Sequence, residues 1–305
     1  MIDYNQEPLI WHKYKDQSIA DFVNFQTEKN LDIKTVESFG DEWTKFSDFD
    51  KNEIEIMGNE YFDLLNQTPL NNDSYVLDLG CGTGRWSYYL SPKVKFIEAI
   101  DPSDAVFSAT MLTTIKRNIR VTKAGLDNIP FADASFDFVI SLGVLHHIHD
   151  INSALNKIFE KTKPGGFFLL YLYYDFDDRE FVFKMVFQVS NFIRKIVSKM
   201  PKKLKHFTAE VIAYIIYLPI VLFIRLCKYL FPRKAFYKKI PLYYYYNKSI
   251  NIIRNDSLDR FGTPLEKRFS KSEIEKLLMG VGFQNVIFSD QRPFWHCITQ
   301  KPFIS

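Results

Sequence analysis

The chain has 305 residues, of which 47% are apolar and 25% charged, so it can bury a large core as one elaborated domain or as a domain with an insert. Its three cysteines, Cys81, Cys227 and Cys297, lie far apart without metal-like spacing, which favours a reducing compartment and predicts no bound metal. The N-terminus, MIDYNQEPLI, has neither a basic start nor an apolar core, so it predicts no secretory signal and favours a cytoplasmic protein.

The net charge of +3 hides a strong asymmetry along the chain. Between Lys184 and Lys248 there are fourteen Lys and Arg residues against one acid, Glu210, so the rest of the chain is acidic. The basic stretch is too apolar for a simple phosphate-binding face and shows no RNA-binding module. We therefore predict no nucleic-acid partner.

Residues 1–70 are predicted to form an N-terminal helical extension. Apolar positions at helical spacing predict one helix within Asp16–Glu28 and a second within Asp50–Leu65. Between them lies the segment SFGDEWTKF. It is either a packed aromatic turn or a cover in which Phe39 and Trp43 close over a ligand.

The stretch Tyr75–Arg85, YVLDLGCGTGR, predicts a buried strand, a glycine turn and the start of a helix over Arg85–Leu90. This arrangement points bare backbone N–H groups at an open sheet edge, where glycines let a ligand approach closely. Asp78, at the end of the strand, can accept from a cationic amino group. A dinucleotide fingerprint would need its third glycine at position 85, which is Arg85, so a nicotinamide oxidoreductase is disfavoured.

The Gly-x-Gly-x-Gly turn, with an acid two residues before its first glycine, resembles motif I of the class I S-adenosylmethionine (SAM) methyltransferases, and the chain is similar to the methyltransferase domains of ubiquinone and menaquinone biosynthesis. The resemblance implies that SAM is the cofactor. It also implies cofactor contacts from Asp78, Gly80, Gly82 and Gly84.

A second strand is predicted at Lys95–Ile100 and ends in Asp101, 21 residues after the first glycine of the turn. An acid at the tip of the second strand of a doubly wound sheet is placed to hold both hydroxyls of a ribose. The alternative is an N-cap for a helix over Ser103–Ile115. Because Ser103 and Asp104 can also cap that helix, we favour the ribose role.

A third strand is predicted at Asn118–Lys123, and the loop after it resembles the adenine-binding loop of the family. The IPF and SFD triplets that follow match the family pattern. Gly125 stands where many relatives carry the acid that reads adenine, and Asp127 aligns with a later acid. The resemblance implies that adenine contacts come from the Leu126 backbone and Asp127.

The fourth predicted strand, Phe138–Leu142, ends in GVLHH, where the resemblance places the transferred methyl group. Leu142, at the tip, is predicted to contact the cofactor. His146 and His147 are the candidate general bases, and a capped turn with structural histidines is the alternative. A fifth strand is predicted at Phe167–Tyr173.

Residues 176–249 form a basic, apolar insert that is predicted to be helical. Its uncharged run, Val211–Ile224, is shorter than the about 20 apolar residues that span a bilayer, so it predicts no spanning helix. Basic flanks suit a helix pair lying in a membrane interface, with peripheral contact through 200–240. We favour the alternative, in which the run packs on the catalytic domain, covers the substrate or forms a homodimer contact, because inserts at this point of the fold commonly cover substrate pockets.

After the insert, Ser270 and Glu273 predict the capping box of a helix, and two final strands are predicted at Gln284–Asp290 and Pro293–Lys301. The predicted fold is therefore α/β, with a doubly wound, seven-stranded, mostly parallel sheet of the class I methyltransferase type. N-terminal helices precede the sheet, and the helical insert follows its fifth strand. The SAM-binding domain is predicted to comprise 71–175 with 250–305.

These features predict a SAM-dependent methyltransferase that acts on a small or lipid-like acceptor, most readily at oxygen. Methyl transfer from a sulfonium is an in-line displacement, and alignment of the reactants can supply about 7–11 kcal/mol of the barrier reduction. The alternatives are a methyltransferase for a glycan or sugar precursor and a non-catalytic SAM-binding scaffold. The protein is predicted to lie in the cytoplasm or on the cytosolic face of a membrane.

Overall fold

The chain divides into two units. Unit 1 comprises Met1–Asp178 and Leu265–Ser305, and unit 2 comprises Arg179–Pro264. The computed structural model describes residues 1–45, 50–175, 181–234, 236–291, 293 and 295–303, with the backbone alone at 181–184.

The described residues of unit 1 contain one sheet of nine strands. The strands are β1 Ile10–Tyr14, β2 Gln17–Asp21, β3 Tyr75–Leu79, β4 Phe96–Asp101, β5 Ile119–Lys123, β6 Phe136–Leu142, β7 Thr162–Tyr171, β8 Gln284–Phe288 and β9 His296–Gln300. Their order across the sheet is β1-β2-β5-β4-β3-β6-β7-β9-β8. The five strands β3 to β7 run parallel, and β9 pairs antiparallel with both β7 and β8.

The chain reverses its direction across the sheet at β3. It moves from β3 through β4 to β5 on one side and then returns to β6 on the other side of β3. In open α/β sheets, the crevice at the carboxyl ends of the strands around such a reversal is where ligands bind. The sheet therefore predicts a site at the ends of β3, β4 and β6.

The sheet is built on apolar strands with helices on both faces, as the alternation of strands and helices predicts. Phe136, Phe168 and Phe283 are fully buried and belong to its largest hydrophobic cluster. The helices of unit 1 are α1 Ile33–Lys45, α2 Lys51–Tyr61, α3 Arg85–Leu90, α4 Ala105–Thr113, α5 Ile151–Lys161 and, after unit 2, the helix Lys271–Gly280. The predicted capping box of that last helix is confirmed, because Ser270 and Glu273 exchange both hydrogen bonds.

The predicted helix within Asp16–Glu28 is wrong. Each of the seven predicted strands has a counterpart in the sheet, but the predicted count is two strands too low. Residues Gln17–Asp21 form β2, which pairs with β1 through a turn in which Lys15 has a φ of 53°. Ile19 and Phe22 have helical spacing, but pairing with β5 buries them to 1% exposure each. Tertiary pairing thus overrides the local pattern, as strand formation often does, and two strands are added to the expected sheet.

Unit 2 is helical in its described residues. Its helices are α6 Phe181–Val197, α7 Lys202–Ile212, α8 Leu218–Leu230 and α9 Ile250–Gly262. A π-helical turn, Ala213–Tyr217, joins α7 to α8 without a break. The core of this unit comprises Val197, Ile212, Ala213, Tyr217, Val221, Ile253 and Phe261.

The joined helix Lys202–Leu230 is longer than the uncharged run that the sequence shows. It has 29 residues, and its most apolar window has a mean hydropathy of 2.2, which is enough to cross a membrane by length and composition. One third of that window, 33%, is buried inside the protein.

Candidate functional site

Two buried carboxylates lie at the ends of neighbouring strands in unit 1. Asp78 is the fourth residue of β3 and Asp101 is the last residue of β4, and the two strands pair in parallel register. Their exposures are 1% and 8%. Burial of an ionisable carboxyl group is unfavourable unless something compensates it, so this pair marks a functional-site candidate.

A glycine turn connects β3 to α3 beside these carboxylates. Gly80, Gly82 and Gly84 all have positive φ, at 77°, 53° and 77°, a conformation that other residues adopt with strain. Space is also limited, since a Cβ on Gly80 would lie 2.4 Å from Val144 Cγ2. The three glycines are therefore required by backbone conformation, and Gly84 leads directly into Arg85, the first residue of α3.

Asp101 binds the turn directly. Its Oδ2 accepts a hydrogen bond from the backbone N–H of Gly82 at 3.0 Å, and its Oδ1 accepts from the N–H and hydroxyl of Ser103 at 2.8 and 2.6 Å. Asp104, not Asp101, occupies the N-cap position of α4. Asp101 is thus not the cap of that helix, and its ribose role stays a prediction.

Burial raises the pKa of Asp101, and the hydrogen bonds from Ser103 and Gly82 oppose that rise. Burial raises the pKa of Asp78 further, to about 7, and the negative charge of Asp101 adds to the effect. The Ser87 hydroxyl donates to Asp78 Oδ2 at 2.6 Å and partly offsets it. A cationic group beside Asp78 would favour its charged form.

Ser87 was not among the site residues predicted from the sequence, although its position in the helix after the turn places it near the end of β3.

Phe39 and Trp43 lie in α1, so the described part of SFGDEWTKF, residues 38–45, is a helix and not a turn. A Cβ on Gly82 would lie 3.3 Å from Trp43 Nε1, which places the Trp43 indole beside the glycine turn. Phe39 packs against the His147 ring at 4.8 Å. Both aromatic residues therefore border the site, as the covering interpretation expects.

The loop after β5 contains the two residues that are predicted to contact adenine, Leu126 and Asp127. Leu126 is buried, at 7% exposure. Both carboxylate oxygens of Asp127 accept hydrogen bonds from Asn30, one from its backbone N–H at 2.7 Å and one from its side-chain amide at 2.9 Å. Asp127 therefore fixes the N-terminal segment in place, and its contact with adenine stays a prediction.

The tip of β6 leaves space beside the candidate methyl position. Leu142 ends the strand, and Gly143 follows with a φ of 82°. Among the described residues, a Cβ on Gly143 would have only Tyr171 Cδ1 within 4 Å, at 4.0 Å. The predicted contact of Leu142 with the cofactor would thus lie at an end of β6 where few described side chains are close to the backbone.

His146 and His147 lie together in an aromatic group. His146 is fully buried and stacks on Tyr173 with 3.8 Å between ring centroids, and the two imidazoles are 4.1 Å apart. Burial, with the nearby His147 and Arg268, holds the pKa of His146 well below its usual range, so this ring is neutral. His147 Nδ1 lies 2.6 Å from the Leu265 carbonyl oxygen and donates to it, which makes Nε2 the basic nitrogen.

The fold and this site define a class I SAM-dependent methyltransferase domain. Residues 77–170 match the family model described as a methyltransferase domain. That part of the chain belongs to the class I SAM-dependent methyltransferase family, whose cofactor is SAM. The positive-φ glycine turn and the two buried carboxylates fit such a cofactor, because they offer backbone approach and two acceptors to a ligand with a ribose and a cationic amino group.

The chain is similar to methyltransferases over part of its length. An uncharacterized methyltransferase of Mycobacterium tuberculosis is 32% identical over 91 residues, which cover 30% of this chain and 46% of that one. The demethylmenaquinone methyltransferase of Lactococcus lactis is 36% identical over 104 residues, covering 30% and 38%. The chain thus spans less than half the length of these curated relatives.

A solved structure from Haloferax volcanii has the same fold. It is described as a complex between the Trm112 methyltransferase activator and a methyltransferase. The superposition has a TM-score of 0.50 at 14% identity, over 87% of this chain and 98% of that one.

Proposed function

We propose that this chain is a SAM-dependent methyltransferase. The observation that carries the proposal is the pair of buried carboxylates on either side of a glycine turn whose Gly82 N–H binds one of them. Asp101 would accept from the ribose hydroxyls, and Asp78 would accept from the amino group. Leu126 and Asp127 belong to the adenine end of the site, and Leu142 to the methyl end.

When bound, SAM supplies a methyl group on a sulfonium. The chain contributes alignment, exclusion of water and, for a hydroxyl acceptor, removal of a proton. His147 is the base we assign first, because donation from Nδ1 to Leu265 directs a basic Nε2 away from that carbonyl. His146, neutral and stacked on Tyr173, would hold the His147 ring in position. A proton acceptor at this point favours oxygen as the methylated atom.

We further propose a lipid-like acceptor, which the protein meets at a membrane. The support comes from unit 2, where the joined helix exposes one apolar face while its other face is buried in the core of that unit. The exposed face, called here the apolar face, comprises Leu204, Phe207, Tyr214, Ile215, Ile216, Leu222, Phe223, Leu226, Tyr229 and Leu230. A continuous apolar surface of this kind marks an interaction site on a protein.

The charges around the apolar face suit an anionic bilayer. Exposed basic residues stand at both ends of the joined helix: Lys202, Lys203, Lys228, Arg233, Lys234, Lys238 and Lys239. Each basic side chain near an anionic surface contributes about 1 kcal/mol to attraction. The opposite face of the helix packs on α9 and carries Glu210, which pairs with Arg254 at 2.7 Å. A helix with a charged, packed face fits a position in the membrane interface better than a span across it.

Methyl transfer itself tests the proposed function. The purified chain, incubated with SAM labelled in its methyl group and a total lipid extract, should release label into the organic phase. Asp101→Ala should abolish that transfer. SAM binding without any transfer to lipid or water-soluble extract would instead favour a non-catalytic scaffold.

Vesicle flotation tests the membrane contact. The wild-type chain should float with vesicles of phosphatidylcholine and phosphatidylglycerol, less with phosphatidylcholine alone, and less again at high salt. Ile215→Glu with Phe223→Glu should reduce flotation at least about ten-fold, because each buried apolar side chain contributes about 1.5–3 kcal/mol. The matched control is Ile115→Glu with Met279→Glu, which alters residues of similar exposure in unit 1. Equal flotation of both double variants would refute the contact.

A further inference from the structure

The segment after β2 brings a buried glutamate to the adenine loop. Pairing of Asp21 with Lys123, and a 2.8 Å hydrogen bond from the Phe22 N–H to the Lys123 carbonyl, carry this segment past the end of β5. Glu28 lies there and is 7% exposed. It stands outside the residues that match the methyltransferase family model.

One carboxylate oxygen of Glu28 is held locally and the other is not. Oε1 accepts from the Asn24 N–H at 2.8 Å, and the Glu28 N–H donates to the Asn24 carbonyl at 3.1 Å. Oε2 is buried, and no group in the described part of the chain donates a hydrogen bond to it. A buried acceptor without a donor is destabilising, so Oε2 calls for a donor from a ligand.

The position of Oε2 identifies that ligand. A Cβ on Gly125 would lie 2.1 Å from Glu28 Oε2, so the carboxylate fills the space that a side chain at position 125 would take. The φ of Gly125 is outside the left-handed region, so its backbone does not require glycine. The resemblance to the family implies that its adenine-reading acid would stand at position 125. Here that side chain is missing, and a carboxylate from another segment occupies its place.

The other nearby acid is already engaged. Both oxygens of Asp127 accept from Asn30. Burial raises the pKa of Glu28 to about 7, and the negative charges of Asp127 and Asp21 add to the rise, while the Asn24 N–H opposes it. A donor at Oε2 would stabilise the charged carboxylate.

We propose that Glu28 reads the adenine of the cofactor, with Oε2 accepting a hydrogen bond from the exocyclic amino group. This inference rests on the proposed function, because it requires an adenosyl cofactor. It assigns base specificity to a residue that lies 97 positions before Gly125. The chain would thus restore from its N-terminal segment the carboxylate that its adenine loop lacks.

Calorimetry with two ligands tests the assignment. S-adenosylhomocysteine offers an amino donor at the ring position that Glu28 faces, and S-inosylhomocysteine offers a carbonyl acceptor there. The wild-type chain should prefer the adenosyl ligand. In Glu28→Gln a single side-chain oxygen must serve both the Asn24 N–H and the ligand, and the new amide can donate to the inosyl carbonyl. The preference should therefore fall about ten- to hundred-fold.

Further variants make the result decisive. Asp104→Asn, at a largely exposed carboxylate outside the adenine loop, should leave the preference unchanged. Loss of the preference in Asp127→Asn, with Glu28→Gln unaffected, would assign adenine to Asp127 and overturn the proposal. Glu28→Ala should weaken adenosyl binding, and adding Gly125→Asp should restore it, because the new carboxylate fits the vacated space. This double variant also decides the matter if Glu28→Gln does not fold. Wild-type affinity in Glu28→Ala would refute the role of Glu28 alone, whereas a wild-type chain that binds neither ligand would refute the proposed function.

Discussion

The two units differ in the energetically unfavourable groups that they carry: unit 1 has buried carboxylates, and unit 2 has exposed apolar side chains. Unit 1 buries Asp78 and Asp101 beside its glycine turn and Glu28 beside Gly125 in the loop after β5. Unit 2 exposes apolar side chains along one helix, with Ile215 at 69% exposure and Tyr229 at 82%. Buried charge calls for a polar ligand, and exposed apolar surface calls for an apolar partner. Each unit therefore needs a different kind of partner: a polar ligand for unit 1 and an apolar surface for unit 2.

The comparison can be tested within a single helix of unit 2. Ile224 is fully buried and Ile215 belongs to the apolar face. In vesicle-free buffer, Ile224→Ala should lower the free energy of unfolding by about 2–5 kcal/mol, because it leaves a cavity. Ile215→Ala should change it by less than about 0.5 kcal/mol. Chemical denaturation measures both, and equal losses would mean that the apolar face is covered in solution.

The buried carboxylates can be tested by SAM affinity. Asp101→Ala removes the acceptor of the Gly82 N–H and the predicted partner of the ribose hydroxyls, so affinity should fall about 30- to 100-fold. Calorimetry measures this fall. Asp104→Ala is the matched control, because Asp104 is largely exposed and pairs with Lys123, and it should bind SAM as the wild type does. Unchanged affinity in Asp101→Ala would remove the ribose assignment.

The pKa of Asp78 makes SAM affinity depend on pH. With a pKa of about 7, Asp78 is mostly protonated at pH 6 and mostly ionised at pH 8. If the ionised form binds the amino group, affinity should rise about ten-fold over that interval. Asp78→Asn should remove most of the dependence. An equally steep profile in the variant would assign the titration to another group.

Stability without ligand should show the opposite trend. The folded pKa values of Asp78 and Glu28, both about 7, exceed their ordinary values of 3.8 and 4.5. The folded state therefore retains protons that the unfolded state releases, and the contribution of these groups to stability falls as the pH rises from about 4.5 to 7. Urea unfolding at pH 5 and pH 7.5 should show a loss of about 5 kcal/mol, and Glu28→Gln should remove about half of it. A loss of the same size in that variant would contradict the buried state of Glu28.

Sequence reasoning predicted the parts of the site that depend on local pattern. Apolar runs followed by turn residues gave β3, β4 and the glycine turn, and α3 begins and ends as predicted, at Arg85 and Leu90. The fold class followed from the alternation of strands and helices. These features are legible because short-range sequence determines them.

What the sequence could not show depends on contacts between distant residues. The strand β2 forms because β5 offers a free edge to Gln17–Asp21, which no local pattern reports. Asn30 donates to Asp127 across 97 positions of the chain. Glu28 lies beside Gly125, which is also 97 positions away. One sequence feature could have indicated this contact. Gly125 stands where the family resemblance implies an acid, so another residue must supply the carboxylate if adenine is bound in that way.

The central claim is that the glycine turn and the carboxylates Asp78 and Asp101 hold an adenosyl sulfonium. Isothermal calorimetry of the intact chain at pH 8, with SAM and then with S-adenosylhomocysteine, tests it most directly. We expect saturable binding of one ligand per chain for both molecules. No heat of binding from either ligand at millimolar concentration, with the protein folded, would contradict it.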